Sequence, residues 1–478
     1  HKNKMIFIIL LIVLLLLVYI KQKRYKSVRI CESKECLRSA ANLALSLDSS
    51  VDPCDDFYQY VCGNWAEEHP RPDSYQSYDW FRDKQTKLYT VVRDFLKKNT
   101  THCPKPVQQA KDMYSACIDT ETLDKRGLKP VSKVLEHLQL PPYPTFTNIT
   151  DVNYLDYSFD WIEAVIKIKT HLGMDVLIGF DIFTDPKNSS VYRLLETFNE
   201  TDIHDNEHLI IPEYKIDLVQ KYTDAIVESN NGTAVPIWKR YLDGVFNISE
   251  VRLDYDIDKV LISDPDLKYL SLLAAYLSKV SPVVTELYIW IKVSNFISSA
   301  ELSAHRLTSS RSLHCANAVN DMLGMAVAYA IADQNFFNVT KPKIETMLHE
   351  LKNALAHLVG TSKWMDDDTK LATYKKIVQM KTLVGFPNWL LENGKLEEYY
   401  QGIEIDTGYH LENMINIIQV KIRKSLNKFR MENNYTWATD PTEVNAYHTY
   451  QENTITVPLV MLQHPFFDLG LEYVYYSY

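Results

Sequence analysis

Histidine is the residue to follow first for hydrolytic chemistry, and this chain has 14 of them. A zinc centre of the H-E-x-x-H type sets two imidazoles one helical turn apart. Both then face the metal, while the Glu between them serves as base for the bound water. No H-E-x-x-H occurs in the 478 residues. The inverted pattern H-x-x-E-H does occur, at His204-Asp205-Asn206-Glu207-His208, and on a helix it would present a ligand pair. Its setting is that of a loop, because it follows an Asn199 sequon and runs into Leu209-Ile210-Ile211-Pro212. It reads as a solvated acidic loop, so no catalytic residue and no metal ligand is assigned within the chain.

The cysteines are Cys31, Cys36, Cys54, Cys62, Cys103, Cys117 and Cys315. An odd number implies an unpaired thiol, an intermolecular bond or a longer chain. The stretch from Pro53 to Trp65 predicts an amphipathic helix, opened by Pro53 and early acids and stopped by Gly63. Cys54, Phe57, Val61 and Cys62 would share one face. The two sulfurs would then be separated by about 12 Å of helix, beyond the roughly 7 Å a disulfide spans. Each would need a partner from elsewhere, the alternative being two reduced core cysteines.

The elements around these residues read as mainly helical. Ile344, Met347, Leu348, Leu351 and Leu355 recur at helical spacing after Pro342 and ahead of Gly360. Asp366-Asp367-Asp368 ahead of Lys375-Lys376 suits a helix whose N-terminus takes the acids. Short β-like segments fall at 175–183 and 454–457, and loops rich in Asn, Asp and Ser at 184–190, 199–207 and 229–234. No internal repeat is present. At 478 residues, 46% hydrophobic and 23% charged, the chain is globular and long enough for two or more domains.

Compartment follows from charge, hydropathy and sequons. Met5–Ile20 is an uninterrupted apolar run between Lys4 and the basic cluster Lys21-Gln22-Lys23-Arg24-Tyr25-Lys26. Such a helix would be about 24 Å long, which lysine snorkelling extends toward a hydrocarbon core of roughly 30 Å. No small-residue cleavage site follows it, so a membrane anchor is expected rather than a signal peptide. Residues 31–478 hold 44 basic and 61 acidic side chains, which argues against nucleic acid as a partner. Sequons open at Asn99, Asn148, Asn188, Asn199, Asn231, Asn247, Asn338 and Asn434. Their spread, with all cysteines after the apolar run, predicts a glycosylated body in an oxidising compartment. The expected layout is a cytosolic N-terminus at 1–4, an anchor at 5–20, a basic stalk at 21–30, and an extracellular body at the plasma membrane. Release by cleavage of the anchor would give a secreted form.

Several ordered motifs resemble one family. They are Pro53-Cys54-Asp55-Asp56-Phe57-Tyr58-Gln59-Tyr60-Val61-Cys62-Gly63-Asn64-Trp65, Met113-Tyr114 with Cys117, Cys315-Ala316-Asn317, Trp364-Met365-Asp366, Gly385-Phe386-Pro387, Asn445-Ala446-Tyr447, and Pro465-Phe466-Phe467. The chain is similar over about 31–467 to the neprilysin-like zinc metalloendopeptidases, which include the endothelin-converting enzymes. The resemblance implies two interlocked helical domains around a cavity, with a small β element opening a thermolysin-like catalytic domain. It places the helical ectodomain at 31–440 and the start of the catalytic domain at 441–478. It implies pairing of Cys31 with Cys36 and of Cys117 with Cys315. Partners for Cys54 and Cys62, the H-E-x-x-H motif and its zinc would then lie beyond Tyr478. The chain as it stands would therefore bind no zinc and be inactive, and its unpaired thiols could link dimers. Asn445 and Ala446 are implied as the backbone-binding strand for short peptide substrates; a peptide-binding decoy ectodomain is the alternative. His448 reads as a surface or polar-core residue. Cys103 matches no family cysteine, and Thr373 stands where the family usually has Ala.

Overall fold

The computed structural model describes residues 31–471 except 74, 100–101, 148–156, 186–187, 197–211, 302–310, 334, 434–436 and 438. The apolar run with its basic stalk, the pattern at 204–208, and the sequons at Asn148, Asn199 and Asn434 lie outside the described residues. No described helix is long and apolar enough to cross a membrane.

The chain divides into two compact units. In the first, the described residues up to Trp80 pack with those from His464 to Leu471. It holds α1 (Lys34–Ser46), α2 (Phe57–Cys62) and α3 (Trp65–Glu68). Ser33 caps α1 by accepting from the Cys36 N–H at 3.2 Å. The Cys31–Cys36 disulfide, with Cα atoms 5.9 Å apart, closes the same turn. Arg38 meets Asp468 at 2.5 Å, and His464 Nδ1 lies 3.2 Å from the other oxygen of that carboxylate. Trp65 stacks on His69 at 4.3 Å, and both rings meet the edge of Trp80.

The helix expected from Pro53 to Trp65 is shorter and differently placed. Residues 53–55 form a turn in which Asp52 Oδ1 accepts from the Cys54 N–H at 2.8 Å. Asp56 then caps α2 by accepting from the Gln59 N–H at 2.9 Å. The acids thus act as turn and cap residues rather than filling a first helical turn. Cys54 lies ahead of the helix, so the shared face with Cys62 does not exist, and Phe57 is exposed.

The second unit runs Phe81–Gln463. Helix α4 (Trp80–Lys97) leads into α5 (Lys105–Ile118), α6 (Thr120–Arg126), α7 (Lys129–His137) and α8 (Trp161–Leu172). A sheet of order β1-β2-β4-β3 follows, from β1 (Phe180–Asp185), β2 (Asn188–Glu196), β3 (Glu213–Lys215) and β4 (Lys259–Leu261). The segment expected as a loop at 184–190 instead carries the facing ends of β1 and β2. Asp185 Oδ1 accepts from the Asn188 N–H at 3.3 Å, and Asn188 Oδ1 from the Ser190 N–H at 3.2 Å. These side-chain hydrogen bonds let polar residues sit at the paired ends of the two strands.

Helices α9 (Ile216–Ser229), α10 (Ile237–Phe246), α11 (Asp264–Leu277) and α12 (Pro282–Glu301) complete the main core with α7 and α8. Trp238, Tyr241 and Phe180 are almost fully buried there, and Phe180 stacks on Phe246 at 5.7 Å.

The rest of the unit comprises α13 (Arg311–Ile331), α14 (Thr340–Thr361), α15 (Asp367–Gln379), α16 (Lys395–Tyr399) and α17 (His410–Asn427). It also holds a second sheet, from β5 (Lys381–Gly385), β6 (Tyr447–Thr449) and β7 (Thr454–Pro458). Asp366 caps α15, accepting from the Thr369 N–H at 2.7 Å. Thr373 is half-buried on α15 and donates to the Thr369 carbonyl at 2.8 Å, which accommodates it in place of Ala. On α14 the apolar stripe is only partly covered: Ile344 is buried, whereas Leu351 and Leu355 are exposed.

Candidate peptide-binding site

The second sheet has the order β5-β7-β6. β5 and β7 run parallel, from Lys381 opposite Thr454 to Gly385 opposite Pro458. β7 buries alternate residues, Thr454, Thr456 and Pro458, as a strand with one packed face must. β6 pairs antiparallel to β7, with Tyr447 opposite Thr456 and Thr449 opposite Thr454. No other described strand pairs with the outer edge of β6. Such an edge carries main-chain donors and acceptors at the spacing an extended peptide needs.

Asn445 and Ala446 lead into this edge and are both exposed. Buried Pro441, Thr442 and Val444 anchor the approach, and the Val460 N–H donates to the Pro441 carbonyl at 3.3 Å. Asn445 is held by a short polar chain. Its Nδ2 donates to the Tyr447 hydroxyl at 3.1 Å, and that hydroxyl donates to Glu443 Oε1. Thr439 donates to the other oxygen of Glu443. The Ala446 N–H donates to Asn445 Oδ1 at 2.9 Å. Burial, reinforced by Glu443, pushes Tyr447 up to about 12, so the phenol stays a donor at neutral pH. His448 is exposed and packs its ring 4.8 Å from that of Tyr450.

The segment preceding this strand rests on a break in α13. Leu323 leaves helical geometry (φ −127°, ψ 39°), and the freed Met325 N–H is taken up by the Tyr400 hydroxyl at 3.0 Å. A Cβ on Gly324 would lie 2.3 Å from Asp440 Cγ, so only glycine admits the carboxylate there. Burial pushes Asp440 up to about 6; Lys421 opposes the rise, while Glu443 and Asp321 add to it. The Glu443 chain, the α13 break and the raised Asp440 escaped the sequence reading. Glu443 and Tyr447 four residues apart were the one visible trace.

The Cys117–Cys315 disulfide ties α5 to α13, its Cα atoms 5.7 Å apart and both residues buried. Arg311 Nε donates to the Cys117 carbonyl at 2.8 Å. Cys54, Cys62 and Cys103 carry no disulfide. Asn99, Asn188, Asn231, Asn247 and Asn338 are all exposed.

The mainly α fold is shared with solved structures. The zinc metalloprotease Zmp1 of Mycobacterium tuberculosis, in complex with an inhibitor, matches at a TM-score of 0.65 and 18% identity. That match covers 90% of this chain and 71% of the other. PepO from Lactobacillus rhamnosis HN001 matches at 0.59 and 14%, covering 88% and 73%. In sequence the chain is 24% identical to neprilysin of Mus musculus, over 92% of this chain and 68% of that protein. It is 22% identical to an endothelin-converting enzyme homolog of Locusta migratoria, over 92% and 69%. The profile of Peptidase family M13 matches residues 53–235 and 213–387. The chain belongs to Peptidase family M13, a family of metallopeptidases, and is neprilysin-like within it.

The zinc of that family does not fit the donors present. The sequence has no H-E-x-x-H, and among the described residues no three His, Cys, Asp or Glu side chains converge to hold a metal ion. What the site offers is main-chain hydrogen bonding and an oriented amide.

Proposed function

We propose that this chain supplies the substrate-cradling wall of a membrane-anchored zinc endopeptidase acting on short extracellular peptides. An extended peptide adds to the outer edge of β6, with Asn445 binding its backbone amide and Ala446 extending the main-chain ladder. The observation that carries the proposal is the exposed Asn445–Thr449 edge, held in place by the Glu443–Tyr447 hydrogen bonds. Main-chain recognition gives affinity with little regard for side chains, which suits an enzyme that trims varied short peptides.

The same reading gives residues 31–440 the helical ectodomain and 441–478 the opening of the catalytic domain. Residues 1–4 face the cytosol, 5–20 anchor the chain and 21–30 form the stalk. The body faces the extracellular space, carries glycans on its sequons and uses Cys54 or Cys62 for any disulfide-linked dimer. The 478 residues by themselves bind peptide without hydrolysing it, since the two imidazoles and the carboxylate base of H-E-x-x-H are not among them. A peptide-capturing role is the second reading, and that donor set favours it for this polypeptide alone.

Fluorescence anisotropy with a labelled short peptide, beside a cleavage assay read by mass spectrometry, tests the proposal. Saturable binding weakened in Asn445→Ala, with no chelator-sensitive cleavage, is the expected result. Binding indifferent to Asn445 overturns the site, and chelator-sensitive hydrolysis by this chain overturns the division of labour.

A further inference from the structure

The last residue of α7 and the penultimate residue of α8 meet in an arrangement that the peptide site does not use. His137 and His171 bring their Nε2 atoms into direct contact across 34 residues of sequence, with ring centroids 4.1 Å apart at 63°. His137 is exposed and His171 half-buried, so the pair is open to solvent on one side.

The other nitrogen of His171 is already committed. Nδ1 lies 2.9 Å from the Lys167 carbonyl and 3.1 Å from the Thr170 hydroxyl oxygen. The Thr170 hydroxyl itself donates to the Ile166 carbonyl at 2.9 Å, so it offers Nδ1 a lone pair. Two acceptors facing Nδ1 require the proton to reside there. The tautomer is thereby set, and Nε2 keeps a bare lone pair aimed at His137. A backbone carbonyl that fixes the tautomer in this way is the usual support of a metal-ligating imidazole.

We propose that His137 and His171 form a two-imidazole site for a borderline divalent transition ion such as Zn²⁺, which would clamp the C-terminal ends of α7 and α8 together. The exposed His137 ring would turn aside from its direct contact with His171, so that the ion bonds to Nε2 of each ring. His137 supplies its lone pair by shifting its proton to Nδ1, and water completes the coordination. This site lies on elements distinct from β6 and does not depend on the peptide-binding reading.

The test uses the 478-residue chain without a polyhistidine tag, its free thiols alkylated, and Zn²⁺ alone as the probe. Calorimetric titration is expected to find one more ion per chain in the wild type than in His137→Ala or His171→Ala. Zn²⁺ should raise the wild-type melting temperature and leave that of both variants unmoved. A second measurement needs no variant: Zn²⁺ should suppress carbethoxylation of His137 and His171 together in the wild type, read by peptide mass mapping. Equal stoichiometry in wild type and variants, or carbethoxylation of the pair that Zn²⁺ leaves unchanged, overturns the site and leaves a pair that merely shares a proton.

Discussion

Asn445 is held by Tyr447, and Tyr447 by Glu443. Tyr447→Phe keeps the ring but removes the hydroxyl that orients the amide. Loss of one such hydrogen bond is worth about 1 kcal/mol, so peptide affinity should fall about fivefold with little change in melting temperature. Anisotropy and thermal unfolding on the same samples separate the two effects. Asn445 and Ala446 were legible as a peptide-binding candidate because they belong to a short motif. The residues that hold them were not, since a hydrogen bond between side chains leaves no mark on spacing. His410 makes the same point in the core. It is 5% exposed, and burial, helped by Arg311 and His314, drives it from 6.5 down to about 4. An imidazole depressed on folding contributes its full stability above pH 6.5 and loses it as pH falls toward 4, by about 3 kcal/mol. Asp440 works oppositely: raised to about 6, it favours the folded state as pH falls from 6 to 3.8. Urea unfolding across this range should show His410→Gln flattening the acid-side decline, and Asp440→Asn steepening it.

Among the elements, β5 shows how one residue controls a strand end. Gly385 has φ +81°, and a Cβ there would lie 2.0 Å from Phe336 Cζ. That ring cannot withdraw, being packed 4.9 Å from Phe386. Gly385→Ala should therefore cost about 2–4 kcal/mol through combined backbone strain and overpacking, measured by chemical denaturation. Peptide binding should weaken along with stability, because β5 supports β7 and β7 supports β6. The motif Gly385-Phe386-Pro387 was visible in sequence, whereas the contact that demands the glycine was not. Helix α14 was equally visible, since a 3.6-residue repeat is local. Its partial burial depends on what packs beside it. The short α2 was misread because an Asp can cap a helix or fill its first turn, and only the backbone path decides which.

For the molecule as a whole, the Cys117–Cys315 bond spans a sequence separation of 198 residues. Constraining so long a loop in the unfolded chain is worth about 4–5 kcal/mol. Replacing both cysteines by Ser should lower stability by about that amount, with a lower denaturation midpoint in urea as the readout. The amino-acid sequence alone determined the helical class and the family, because composition, periodicity and ordered motifs are carried along the chain. Tertiary structure alone decided that β6 stands at a sheet edge, that Glu443 reaches Tyr447, and that two imidazoles meet between α7 and α8. Such meetings depend on how whole elements pack, and the packing energy is shared among many weak contacts rather than written at the residues that come together.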